Sequence, residues 1–286
     1  MPEYKHIHTI PASILRYWID ANTSYKGVHV YENQSRRIYV STGQGPKAFS
    51  FAITDDLYIT TANGKRAVGL EKWFSGQEDS LISFVRQVHN RQQLSSIPSS
   101  KFTQLLMAIV GLECRSAYNI RKIQEIIEKD VSIRTKISDS PDHSPEQLVL
   151  ENIIHWVNEQ IASICPTEMV LFIAPYEHSW VIGDRPYFYH KDLEFHFVVL
   201  TNKVVIGYRR SNELTYEYKD VSKEFVELIN HQITINSREW LVAINAEELS
   251  KYVGLFNSEA WKQSVDSEKV GWLPIQYLTN GWLIDR

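Results

Sequence analysis

Apolar residues keep a helical spacing from about residue 68 to residue 164, and short strand-like runs lie on either side of that stretch. This order favours folds that mix helices with a separate sheet over an alternating βαβ chain or an all-helical bundle. Leu70, Trp73, Phe74, Leu81, Phe84, Val85 and Val88 fit one long helical face, with Gly76 as its weak point. Behind Pro98-Ser99-Ser100, the residues Phe102, Leu105, Leu106, Ile109 and Val110 make an almost wholly apolar face, as expected of a helix central to the core. Ile120, Ile123, Ile127 and Val131 predict a third helix over 117–136, with a solvated polar face. Ser144-Pro145-Glu146-Gln147 supplies an N-cap, a proline at the first helical position and a capping-box partner, so a helix begins near Pro145. It carries Leu150, Ile153, Val157, Ile161 and Ile164 and stops at Pro166, while 138–143 before it reads as an exposed loop.

Pro11 suits the first turn of a helix over 12–21, whose apolar residues are Ile14, Leu15, Trp18 and Ile19. Residues 28–31 and 37–40 are rich in β-branched and aromatic side chains, and the Glu32-Asn33-Gln34-Ser35 turn between them predicts a hairpin. After residue 166 the runs 169–173, 180–182, 195–200 and 204–208 read as buried strands, the last two joined through Thr201-Asn202-Lys203. Helical spacing returns through Phe225, Leu228, Ile229 and Ile233 and again over 246–256. The C-terminal segment with Trp272, Leu273 and Trp282 is too aromatic for disorder. The expected fold is α+β: a small N-terminal β element, a helical middle, and a mostly antiparallel C-terminal sheet with flanking helices. We expect one unit over 1–286, divisible into lobes 1–66 (β-containing), 67–165 (helical) and 166–286 (sheet plus helices).

With 286 residues, 43% of them hydrophobic and 12% aromatic, the chain can bury a large core without disulfides or metal. Thirty basic residues against 34 acidic ones give a net charge of -4, so net charge does not indicate nucleic-acid binding, although a local basic groove stays open as a reading. Cys114 and Cys165 stand far apart and outside any C-x-x-C pattern, which predicts free thiols in a reducing compartment. No signal segment opens the chain, and no uncharged apolar stretch reaches about 18 residues, so we expect a cytoplasmic protein without membrane association. Gly43-x-Gly45 lacks both the following Lys-Ser/Thr and the third glycine of the nucleotide-binding loops, which excludes nucleotide binding by those motifs. No motif identifies a cofactor.

The landmarks also follow a known order. His8-Thr9-Ile10-Pro11-Ala12-Ser13-Ile14-Leu15-Arg16-Tyr17-Trp18 is similar to the H-Y-V-P-x-x-x-L-R-x-F opening of the family catalogued as domain of unknown function 4238, with threonine and tryptophan as departures. Leu70-Glu71 and Glu78 resemble that family's helical glutamates, and Arg115 falls where it tends to place an arginine, without the proline that often follows. Ile182-Gly183-Asp184-Arg185-Pro186-Tyr187 resembles its I-T-S-D-N-P-V strand end, with arginine in place of asparagine, and Asn230 resembles its late asparagine. The resemblance carries no settled activity. The family's scattered occurrence in bacteria implies, by analogy, a role in defence or another accessory system.

Each of these positions has two readings. His6 and His8 would share one face of a strand, where two imidazoles can reach one metal or simply edge a sheet. Asp184 follows an apolar strand and precedes a proline by two, so it is either a carboxylate presented to a crevice or a turn former that bonds backbone amides. Glu71 and Glu78, two helical turns apart, either line a cleft with Arg115 or leave Arg115 and Glu78 as a bridge between two helices. The enzymatic expectation is a hydrolase acting on phosphoesters or nucleic acid, with His8 and Asp184 as base or ligand and Arg115 holding an anion. Glu71, Glu78 and Asn230 complete that catalytic set. In this reading prolines 11 and 186 orient His8 and Asp184 toward a common cleft. The alternative is a non-catalytic module that binds a protein partner, its polar motif residues forming a buried network.

Overall fold

The computed structural model describes residues 6–271 apart from 22, 24–25, 46–47, 56–59, 63–64, 68, 92–98, 119, 122–124, 126–128 and 130–144. The 138–143 loop, most of the helix expected over 117–136 and the tail with Trp272, Leu273 and Trp282 lie outside the described residues.

The chain is α+β. Strand β1 (His6–His8) leads into helix α1 (Ala12–Leu15), which tightens into a 3-10 turn over Arg16–Trp18. The helix expected over 12–21 is therefore cut short. At Ile19 the backbone turns extended, the Asp20 amide donates to the Gly27 carbonyl at 3.0 Å, and the chain reverses into the next strand. The buried Trp18 indole pins this turn by donating to the Trp180 carbonyl at 2.7 Å. The expected hairpin forms from β2 (Gly27–Glu32) and β3 (Arg37–Thr42), and β4 (Ile53–Asp55) pairs back onto β1. A small pair, β5 (Thr60–Ala62) and β6 (Lys65–Ala67), precedes the helices.

The long apolar periods become α2 (Gly69–His89), α3 (Ser99–Cys114) and α4 (Pro145–Ile164), with α3 packed between the other two. Phe102, Leu105, Leu106, Ile109 and Val110 on α3 are all buried, each contributing about 1.5–3 kcal/mol relative to exposure. Cys165, just after α4, carries a free thiol, and the Cys114 side chain is outside the described residues. Among the described residues, no helix is long and apolar enough to cross a membrane.

The C-terminal part adds β7 (Thr167–Ile173), β8 (Ile182–Gly183), β9 (Tyr187–His190), β10 (Phe195–Val199), β11 (Val204–Arg210) and β12 (Thr215–Asp220). Helix α5 (Lys223–Asn236), capped by the Ser222 hydroxyl, then leads to β13 (Trp240–Ala243), α6 (Ala246–Ser250) and α7 (Glu259–Gly271). Five of the strands form a sheet in the order β12-β7-β11-β10-β9, antiparallel except for the β12–β7 pair. A second sheet, β3-β2-β13-β8, joins the N-terminal hairpin to two strands from the C-terminal part. One apolar core takes in Trp18, Phe74, Ile109, Trp156, Leu171, Val198, Ile229 and Val242.

The 180–182 run yields ladder pairing only from Ile182 onward. The Trp180 amide donates to the Asn202 carbonyl and the Val181 amide to the Asn230 side chain, so those donors are satisfied off the ladder.

On the five-stranded sheet, His196 of β10 stacks on Tyr208 with centroids 5.1 Å apart, and its Nδ1 is hydrogen-bonded to the Tyr187 hydroxyl at 2.7 Å. Burial holds the imidazole down to about 4, against an ordinary value of 6.5. Because the folded value is depressed, this stabilisation is complete above pH 6.5 and is lost as pH falls toward 4, where the unfolded chain takes the proton first. Urea unfolding from pH 7 to 4 should show His196→Gln losing less stability than the parent chain. The difference should be no more than about 3 kcal/mol, since solvent reaches part of the ring. Equal losses in both proteins would remove His196 as a source of acid sensitivity.

Candidate functional site

The motif residues divide into two hydrogen-bonded groups. The first joins the N-terminal strand to the helices. Arg115, buried just past the end of α3, donates through Nη1 to Glu78 Oε1 at 2.5 Å and through Nη2 to the His8 carbonyl at 3.3 Å. Its guanidinium carbon lies 4.6 Å from the centroid of the Phe74 ring. The Arg115 side chain is 4% exposed and that of Glu78 25%, so this ion pair bridges α2 to the end of α3 largely out of water. The His8 ring points to Ala48, whose carbonyl accepts from Nε2 at 3.0 Å, and the Thr9 amide and hydroxyl both donate to the Ala52 carbonyl. The H-T-I-P segment is thus fastened on both sides. Glu71 lies on α2 and His6 on β1, but their side chains are outside the described residues.

The second group centres on Asp184, which is 1% exposed. Its Oδ1 accepts from three consecutive backbone amides, Arg238 at 2.8 Å, Glu239 at 3.0 Å and Trp240 at 3.4 Å. Its Oδ2 is buried with no hydrogen-bond partner among the described residues. Burial raises the pKa of this carboxyl, against the pull of the three amides and the Arg185 charge. Gly183 is required by close approach: a Cβ there would fall 1.7 Å from Ser237 Oγ, at the end of α5. Asn236 fixes the following residues by donating to the Arg185 and Tyr187 carbonyls.

Asn230, fully buried on α5, acts as a substitute strand neighbour. Its Oδ1 accepts from the Val181 amide at 2.9 Å, and its Nδ2 donates to the Ser179 carbonyl at 3.0 Å and the Tyr252 hydroxyl at 3.1 Å. The Asp184 and Asn230 side chains therefore hold the two ends of one segment, 179–184.

The three amides taken by Asp184 belong to a loop that lines a cleft of about 310 Å³, together with Glu32, Asn33, Phe51 and Arg121. Arg121 Nη1 meets Glu239 Oε1 at 2.7 Å. Burial, then the Asp184 charge, pushes the Glu239 carboxyl up, and Arg121 opposes both. Neither His8 nor Arg115 lines this cleft, and Asp184 lies behind its wall. Among the described residues, no group of three or more His, Cys, Asp or Glu side chains is placed to hold a metal ion. Arg121, Arg238 and Glu239 were not marked by the sequence; no motif or spacing connects residue 121 with the 238–240 loop.

Removing Arg115 would leave the part-buried Glu78 carboxylate and the His8 carbonyl without this partner. Arg115→Ala should cost about 3–5 kcal/mol in chemical denaturation. A cost below about 1 kcal/mol would show that the bridge is already solvated.

No curated protein and no solved structure matches this chain. A family model described as a protein of unknown function, DUF4238, matches residues 5–247. That span carries His8, Glu78, Arg115, Asp184, Asn230 and residues 238–240, and the chain belongs to the DUF4238 family.

Proposed function

We propose that this chain is a non-catalytic binding module for a protein partner, in which the polar motif residues hold the binding surface in shape. One observation carries the reading: Asp184 uses a single oxygen to hold three consecutive amides of the 238–240 loop, whose side chains line the cleft. A buried acceptor in that role fixes backbone and has no open path to a substrate. The cleft offers both signs of charge, Arg121 and Glu239 in a pair and Glu32 across the turn, which suits the mixed charge of a protein surface. Strand β3 starts beside its rim and is an edge of its sheet. Ile38 and Val40 lie on one face of β3, 40% and 41% exposed, and an extended segment of a partner can pair there.

A second reading keeps the hydrolase acting on phosphoesters or nucleic acid in a bacterial accessory system such as defence. Its support is the buried second oxygen of Asp184, which has no partner among the described residues and sits on a carboxyl with a raised pKa.

The two readings differ in how they answer to Asp184→Asn. An amide oxygen still accepts from the loop, so the binding module predicts that Asp184→Asn melts close to the parent while Asp184→Ala loses several kcal/mol through unpaired buried amides, about 1–3 kcal/mol each. It also predicts no phosphodiester or phosphomonoester hydrolysis that depends on position 8 or 184. Hydrolysis that disappears in Asp184→Asn or His8→Ala, in protein that still melts near the parent temperature, would contradict the module and establish the hydrolase.

A further inference from the structure

The parallel strands β7 and β12 end side by side, with Ile173 opposite Asp220. Beyond Ile173 lies a second cleft, of about 340 Å³, lined by His89, Arg91, Ile173, Ala174, Tyr176 and Lys203. None of Asp184, Arg115 or Asn230 lines it, and no motif marked it. Its volume falls within the ordinary range of small-ligand pockets.

The polar groups of this cleft are set up as donors. Thr201 Oγ1 accepts from the Lys203 amide at 3.1 Å and the Val204 amide at 2.9 Å, which uses both of its lone pairs. Toward His89 Nδ1, 3.2 Å away, the hydroxyl can therefore only donate. Nδ1 is then the acceptor and the ring proton sits on Nε2, for which none of the described residues is an acceptor. The ring is oriented by Tyr17, whose centroid lies 4.4 Å from it. Burial, then the Lys203 charge, lowers the His89 pKa, so the neutral ring with Nε2–H is the form present at neutral pH.

Lys203 removes what would repel an anion. Its ammonium donates to the carbonyls of Pro175 at 3.2 Å, Tyr176 at 2.7 Å and His178 at 2.5 Å, turning three oxygens inward while keeping its positive charge beside the cleft. Arg91 meets Asp220 at 2.8 Å, but the two side chains are 55% and 77% exposed, and so open a pair gives way readily to a stronger anion. Tyr176 is 95% exposed at the mouth of the cleft; the Lys203 ammonium lies over its ring at 6.0 Å from the centroid, and the opposite face is open to stacking.

We propose that this cleft binds a mononucleotide, its phosphate on Arg91 and His89 Nε2–H in the field of Lys203, and its base against Tyr176. A free nucleotide fits better than a nucleic-acid strand, because the chain has a net charge of -4 and the cationic groups gather in one small cleft. This site is independent of the protein-binding reading above, and either can fail without the other.

The test is calorimetric titration of the full chain with AMP, inorganic phosphate, adenosine and a single-stranded DNA oligonucleotide. AMP should bind, and Arg91→Gln should weaken it about tenfold or more, whereas Arg210→Gln, an equal change of charge at an exposed site elsewhere, should not. Tyr176→Ala should weaken AMP about tenfold and leave phosphate unchanged. Both residues are exposed, so both variants should fold. The proposal is overturned if AMP does not bind, or if it binds with an affinity that neither variant changes. It is equally overturned if phosphate alone binds as tightly as AMP, which would leave a simple anion site, or if the oligonucleotide binds tighter than AMP with the same dependence on Arg91 and Tyr176.

Discussion

Oδ1 of Asp184 lies where three amide hydrogens of residues 238–240 meet, in a setting closed to water, and the second sheet depends on that meeting. Residues 238–239 lead directly into β13, which begins at Trp240 and pairs on one side with β2 of the N-terminal hairpin and on the other with β8, the strand that carries Asp184 toward it. A buried amide without an acceptor costs about as much as a lost hydrogen bond, and here three would be left at once. Gly183 sets the distance: with Ser237 pressed against its Cα, the end of α5 and the start of β13 come close enough for one carboxylate to serve the whole loop.

Asn230 and Arg115 work by the same logic at other joints. Asn230 presents one acceptor and two donors to segment 179–181 and to Tyr252, and Trp180 in that segment also receives the Trp18 indole. Arg115 ties the His8 carbonyl and Glu78 to the end of α3. Asn230 takes the place of a missing backbone partner where irregular chain crosses the interior, and Arg115 bridges a strand carbonyl and a helix carboxylate, as satisfaction of buried polar groups requires. The family motifs thus coincide with joints between elements, and the two clefts are lined largely by other residues.

Much of the fold is legible in the sequence where one local rule dominates. Helices α2, α3, α4 and α5 follow from apolar spacing, and the β2–β3 and β10–β11 hairpins from turn formers between β-rich runs. Strand β12, Thr-Tyr-Glu-Tyr-Lys-Asp, carries no strand signal in the sequence because it is a largely exposed edge with charges among its tyrosines, held by parallel pairing with β7. Strand β13 is four buried residues long, too short for any period to identify. The Arg115–Glu78 bridge was one of two sequence readings for that pair. The Asp184 cap was likewise an open alternative, but its partners at 238–240 lie more than 50 residues away and left no local signal. The second cleft was invisible for the same reason: His89 and Thr201 are brought together by tertiary packing across 112 residues.

The central claim is that Asp184 holds the 238–240 loop as part of the cooperative fold, and site-resolved hydrogen exchange of the backbone amides tests it most directly. In the parent chain the amides of Arg238, Glu239 and Trp240 should exchange as slowly as core amides of β13. In Asp184→Ala they should lose that protection, and β8 and β13 should loosen with them. Fast exchange at these three amides in the parent chain, or undiminished protection in Asp184→Ala, would contradict the account.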